Sequence, residues 1–409
     1  MREMKNSGVA WIGDVPEKWE IVKIGQLFQC RNVKVNDTDF QPLSVSKGGI
    51  VPQMENVAKS DANDNRKQVL TGDFVINSRS DRKQSCGVSK LDGSVSLINT
   101  VLYGFDKDRV IPEYNNYMLK NYGFAEEFYR WGHGIVADLW TTRWQEMKNI
   151  EIPVPSIKTQ EDILSALRIK SKNISLLIFN QEQQIEKLKQ YKQSLITEVV
   201  TKGLNPDVTM KDSGVKWIGK IPNNWQTKKI KYVAKIIDDK YLKGEYNYIA
   251  LENIESHSAR FIKTDSVYDL VGTKMAYSDT VIFGKLRPYL AKVFLVKEIT
   301  CVNNEFSVFK GLEVTNEYLK YFMLGSRFID TVNASTYGTK MPRANIGFIS
   351  NLQITIPPFQ EQQNIANYLD DKCAKIDRLI AIKQEKIDKL NDYKKSLIYE
   401  YVTGKREVC

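Results

Sequence analysis

The sequence predicts an α+β protein made of two pseudo-symmetric mixed α/β heads and two long coiled-coil helices. Three observations lead there. The stretch Ser7-Gly8-Val9-Ala10-Trp11-Ile12-Gly13, followed by Pro16 and Trp19, returns 206 positions later as Ser213-Gly214-Val215-Lys216-Trp217-Ile218-Gly219, followed by Pro222 and Trp225. Ile185–Thr201 returns 202 positions later as Ile387–Thr403, with 11 of 17 residues identical. Both of these later stretches carry heptad spacing, which keeps one narrow apolar stripe facing a partner helix.

In chain order, each copy runs from its tryptophan motif through a divergent segment to a proline-rich exit and then a long helix. The internal match fades but persists: Asp73-Phe74-Val75-Ile76 answers Asp279-Thr280-Val281-Ile282, Asn99 answers Asn303, and Glu113-Tyr114 answers Glu317-Tyr318. Within the divergent segments, β-branched and aromatic runs predict strands at Phe74–Asn77, Ser94–Phe105, Val281–Phe283, Ala291–Val296 and Phe306–Phe309. Amphipathic spacing predicts helices at Pro112–Tyr122 and Asn316–Leu324. The exits, Ile152-Pro153-Val154-Pro155 and Ile354-Thr355-Ile356-Pro357-Pro358, set an extended approach to helix entry.

The first helical seam is Ile174, Ile178, Gln181, Ile185, Leu188, Lys192, Leu195 and Val199. The second is Ile376, Ile380, Lys383, Ile387, Leu390, Lys394, Leu397 and Tyr401. Polar residues interrupt both at matching places, Gln181/Lys383 and Lys192/Lys394, so the two helices are expected to pair in one register. Gly203 and Pro206 end the first helix. A helix from Ile174 to Thr201 measures roughly 42 Å at ~1.5 Å per residue, against about 34–36 Å for one DNA turn. Two heads spaced by such a rod would meet one face of a duplex about one turn apart.

The 409 residues exceed one typical core, and the net charge of +10 points to an anionic partner, most simply nucleic acid. Five scattered cysteines, Cys30, Cys86, Cys301, Cys373 and Cys409, suggest neither a disulfide framework nor a zinc knuckle. A reducing, cytoplasmic setting is expected. Met1–Pro16 lacks the apolar core of a secretory signal. No run approaches the ~18 apolar residues of a membrane span.

The doubled tryptophan motif and helices closely resemble the specificity subunit of a type I restriction-modification enzyme. The same resemblance is carried by Gly134-Ile135-Val136-Ala137-Asp138-Leu139-Trp140, Met341-Pro342-Arg343-Ala344-Asn345, the run from Asp279 to Val293, and Pro358-Phe359-Gln360-Glu361-Gln362. The first exit departs from the fuller second one, reading Pro155-Ser156-Ile157-Lys158-Thr159-Gln160. The resemblance implies target recognition domains at 1–155 and 206–357, separated by antiparallel helices at 156–205 and 358–409. It implies that each domain reads half of a split double-stranded DNA site while the helices set the gap. It further implies two methyltransferase subunits, with a motor-nuclease subunit joining for restriction. S-adenosylmethionine, ATP and Mg are then expected on those partners and no cofactor on this chain.

The residues themselves point away from catalysis. The chain has no G-x-x-x-x-G-K-[ST] phosphate loop, and Ile356-Pro357-Pro358-Phe359 puts Ile where an amino-methyltransferase turn needs a polar residue. Asp370-Asp371-Lys372 reads as a solvated helix face rather than a nuclease site. Candidate DNA contacts are Arg79, Arg82, Lys83, Gln84 and Arg143 in the first head, and Lys285, Arg287, Tyr289, Lys340 and Arg343 in the second. Arg reads guanine bidentately, Gln and Asn read adenine, and Lys chiefly grips phosphate. His133 is either a loop residue near DNA or an incidental polar group. Trp11, Trp19, Trp217 and Trp225 are expected to anchor the cores. Leu177 and Leu379, off the seam, are candidate partner-binding positions. The alternative reading is a stand-alone regulatory DNA-binding protein with the same heads and no methyltransferase partner.

Overall fold

A computed structural model describes residues 2–53, 64–104, 106, 108–134, 140–241, 244–264, 273–336, 338 and 340–408. Positions 135–139 of the Gly134–Trp140 motif, together with Phe105, Thr339 and Cys409, lie outside the described residues. The chain forms two compact units, Met1–Gln181 with Glu385–Cys409, and Glu182–Gln384. Each unit contains one head, part of the first long helix, Ile157–Lys202, and part of the second, Phe359–Val402.

In the first unit, a four-stranded antiparallel sheet orders Cys86–Val88, Phe74–Asn77, Asn99–Tyr103 and Gln29–Cys30. A second sheet orders Gly93–Ser96, Arg66–Val69 and Lys34–Val35. The second unit repeats the four-stranded sheet with Ala234–Ile237, Phe306–Gly311, Thr280–Gly284 and Val293–Val296. Beside them, Asn247–Ile249, Thr300–Val302 and Lys274–Ala276 form its three-stranded sheet. Two predicted elements are each divided. The run from Ser94 turns at Leu97–Ile98 and becomes two strands in different sheets. The helix from Pro112 stops at Met118, because Asn121 takes an extended conformation and its carboxamide caps a new helix, Tyr122–Arg130, at Phe124 N–H. The strand predicted from Ala291 starts at Val293, since Ala291 adopts φ +45°. The Phe74–Asn77 strand and the Asn316–Leu324 helix stand as expected.

The tryptophan motifs are core anchors. Trp225 is fully buried and Trp19 nearly so. Trp11 packs edge-on to Phe124, and Trp217 packs against Phe322 and Phe328. The motif's glycines are explained by backbone: Gly8, Gly13, Gly214 and Gly219 all have φ between +67° and +79°, the left-handed region glycine enters without a Cβ clash. The proline exits complete the motif by pairing, Glu151–Val154 with Glu20–Lys23 and Gln353–Ile356 with Gln226–Lys229.

Each unit locks its helices to its head with the same two side chains. Gln160 is fully buried, donates to the carbonyls of Arg109 and Pro155, and accepts from Ile111 N–H. Gln362 does the same with Glu313, Pro357 and Thr315. Thus the first exit, despite its shorter motif, keeps the glutamine that matters. Tyr114 donates its hydroxyl to Val402 O, and Tyr318 donates to Val200 O, both deep in the core.

Within each unit the helix segments run antiparallel, and every seam position is buried or half-buried. The polar seam residues find specific partners. In the second unit the Lys192 ammonium, almost wholly buried, sits 2.8 Å from the Asp377 carboxylate. In the first unit Lys394 Nζ donates to Ser175 Oγ at 2.8 Å. Ser175 and Asp377 are themselves 202 positions apart, so both pairings have the same register. A one-heptad slip would leave Lys192 buried without its counter-charge, which costs several kcal/mol, so that register is selected.

Candidate nucleic-acid interface

In the first head, the loop after Phe74–Asn77 meets the segment before the proline exit. Thr141 exchanges both main-chain bonds with His133 at 2.9 and 3.0 Å and also bridges Arg79. Thr142 N–H donates to Ser78 O, so Arg79, exposed His133 and exposed Arg143 are carried by one backbone junction. A recess in front of it is lined by Arg79, Arg82, Lys83, Gln84, Tyr129 and Trp140. Arg82 stands 66% exposed. Lys83 is engaged: its ammonium lies 2.8 Å from Glu126 and 4.4 Å above the Tyr129 ring. Gln84 holds φ +62°, an uncommon conformation for a side chain-bearing residue. Gly132 is required because a Cβ there would fall 2.3 Å from the Trp140 indole nitrogen.

The second head builds the equivalent junction from different residues. Lys285 N–H donates to Glu305 O, Ala344 N–H donates to Lys285 O, and Arg287 N–H donates to Pro342 O. Leu286 bridges Arg343, whose guanidinium lies 2.9 Å from Glu305. Burial, then neighbouring Lys274, push the Lys285 ammonium below its ordinary range. Arg287 (φ +50°) and Ala291 (φ +45°) flank a short turn that presents Tyr289, 44% exposed. Lys340 is also exposed, close in sequence to Arg343. All ten candidate side chains therefore lie on loops that follow the matching strands or precede the exits. By position, however, Arg143 corresponds to Asn345, the cap of Ile346–Asn351, and Arg343 corresponds to Thr141.

A third cluster escaped the sequence reading. Gln53, Arg66, Asn77, Ser96 and Asn99 line an open recess of about 300 Å³ beside the Arg79 loop. The sequence match of Asn99 to Asn303 does not hold in the strands: Asn99 stands opposite Asn77, and its counterpart opposite Phe283 is Ser307. On the helices, Leu177 and Leu379 are 46% and 48% exposed, in the company of Leu176, Phe179 and Ile382. Among the described residues no helix is long and apolar enough to cross a membrane.

Residues 222–392 match the family described as type I restriction modification DNA specificity domain. The MjaVIII specificity subunit of Methanocaldococcus jannaschii is 25% identical over 279 residues, covering 64% of this chain and 63% of that relative. The putative MjaX specificity subunit of the same organism is 22% identical over 433 residues, covering 97% and 96%. A chain solved in work on complex assembly and conformational transition of the type I R-M system superposes with a TM-score of 0.72, at 13% identity, covering 96% of this chain and 99% of that one. The chain is similar to type I restriction-modification specificity subunits in the domain it matches, in these relatives and in its fold.

Proposed function

We propose that each head binds one half of a bipartite double-stranded DNA site, that the paired helices set the distance between halves, and that they dock methyltransferase subunits. The four parts are those expected above: recognition domains at 1–155 and 206–357, spacer helices at 156–205 and 358–409. The observation that carries this reading is the doubled junction. Two divergent heads present Arg79, Arg82, Lys83, Gln84 and Arg143, or Lys285, Arg287, Tyr289, Lys340 and Arg343, from equivalent loops on one repeated frame. Divergent side chains on a common frame are what reading two different half-sites requires. Catalysis resides in the partners, with S-adenosylmethionine on the methyltransferases and ATP and Mg on a motor-nuclease subunit. The complex works in the cytoplasm.

Methylome sequencing with and without this gene, beside its methyltransferase gene, tests the reading. A split methylated motif present only with the gene is expected, and exchanging residues 26–148 changes one half of it. Methylation unchanged by deletion would sink the proposal and favour the regulatory alternative. The docking element has its own test. Leu177→Glu with Leu379→Glu is expected to abolish co-elution with the methyltransferase in size-exclusion chromatography while leaving the chain folded. Unaltered co-elution would remove the helices' exposed flanks from the docking surface.

A further inference from the structure

We propose that Lys47, Lys120 and Lys395 form a phosphate grip in the first unit, holding the DNA backbone beside the bases that the Arg79–Gln84 loop reads. This rests on the heads being DNA-binding. The three lysines line one recess of about 270 Å³, and Gln84, Asn116 and Tyr122 are among its other walls. Gln84 is also a wall of the basic recess that holds Arg79, Arg82 and Lys83. One residue thus separates the two recesses, and a duplex lying on the loop brings its backbone to the mouth of the second.

The fold gathers the three from distant parts of the chain. Lys47 stands in the turn between the paired strands Leu43–Ser46 and Gly49–Pro52. Lys120 precedes Asn121, the cap of Tyr122–Arg130, and Lys395 comes from the second long helix. Charge in the recess is one-sided: among the described residues no Asp or Glu lines it. Among the described residues, too, Lys47 and Lys120 have no carboxylate partner. Lys395 touches Asp392 on its own helix at 3.1 Å, with both side chains more than half exposed. A pair so open to water holds its ammonium weakly. The Asn116 carboxamide oxygen accepts from Val88 N–H at 3.2 Å, so what that side chain still offers is its N–H donors.

The second unit shows that the repeated frame does not need these charges. Asn121 and Gly325 cap matching helices, so Lys120 corresponds to Leu324. On the long helices Lys395 corresponds to Gln193, in the register that also matches Lys394 to Lys192. There Gln193 Nε2 donates to Leu324 O, a neutral contact at the place where the first unit sets two ammoniums around one recess. Like charges gathered around a recess repel until an anion lies between them. Their chemistry also selects the ligand. An ammonium offers donors only, which suits the acceptor oxygens of a phosphodiester. A base edge, which mixes donors with acceptors, matches three lysines poorly.

The test uses the full chain in complex with its methyltransferase and measures binding by fluorescence anisotropy. Duplexes carry the site found by methylome sequencing, with each phosphate in and beside the first half-site replaced in turn by an uncharged methylphosphonate. The wild-type complex should lose about 3- to 10-fold in affinity at one or two of these phosphates. Lys120→Gln with Lys395→Gln should lose that sensitivity and bind about 10-fold more weakly. Its slope of log affinity against log salt should be shallower by about 1 to 2. Its ranking of mismatched sites should not change, because phosphate contacts carry no sequence. The melting temperature should be kept, since Lys395 is exposed, Lys120 is half-buried, and the second unit already carries glutamine at the former's place. Lys47→Gln, on a separate hairpin, should give a smaller change of the same kind. An unchanged salt slope and methylphosphonate pattern in the folded variants would overturn the grip. Loss of co-elution with the methyltransferase would overturn it too, by assigning the lysines to protein docking. Absence of any split motif in the wild type would instead refute the DNA-reading function on which the proposal stands.

Discussion

Asp377→Ala is expected to destabilise the second unit by about 3 kcal/mol, because it strands the Lys192 ammonium inside the seam without its counter-charge. Lys192 is 6% exposed and Asp377 25%, so little solvent screens the pair. Lys192→Met with Asp377→Leu removes both charges together and should fold to within about 1 kcal/mol of the parent, since burying apolar groups of similar size offsets the lost ion pair. Urea unfolding followed by circular dichroism would measure both. Equal losses in the single and double variants would show that the pair does not act as a unit. The matching pair in the first unit sets the scale: Lys394 faces Ser175 and is half-exposed, so Ser175→Asp should add less than about 1 kcal/mol.

Arg287→Gly should separate recognition from folding in the second head. Arg287 holds φ +50°, which costs a side chain-bearing residue about 1–2 kcal/mol and costs glycine little. Glycine's greater freedom in the unfolded chain takes back up to about 1 kcal/mol. The net stability change should therefore be near zero or slightly favourable. Loss of the guanidinium should weaken DNA binding by about 10- to 100-fold and relax one base position in the second half-site only. Thermal unfolding and anisotropy on the same samples would decide. A stable variant that binds as the parent does would remove Arg287 from the interface. Gln84, at φ +62° in the first head's loop, shares the feature, so both heads hold a strained residue where base contact is proposed.

What the sequence disclosed follows from how each feature is written into a chain. The helices were legible because heptad spacing is local and was printed twice, and their register was legible because Lys192 and Lys394 break the stripe at matching places. The tryptophan motif was legible as a core anchor, though not the reason for its glycines, which is a backbone angle. Loops after matching strands were found because Arg79 and Lys285 stand at equal offsets. Missed were the breaks at Leu97–Ile98 and Asn121, where a short turn interrupts a run whose composition does not change. Missed too was the recess beside the Arg79 loop, which draws on five separate stretches, the residues at 43–45, 53, 66, 77 and 96–99. Nothing in local composition marks such a site.

The paired locks, Gln160 with Tyr114 and Gln362 with Tyr318, have a consequence for how recognition changes over time. The glutamines reach from helix to head and the tyrosines from head to helix, both through main-chain carbonyls and amides, so they demand little of the identity of their neighbours. A head behaves like a tool bit held in a chuck: a few fixed flats engage the holder, and the working edge is free to take another shape. On the proposed DNA-reading function, new specificities are expected to arise by wholesale replacement of the edge, with no need to redesign the grip.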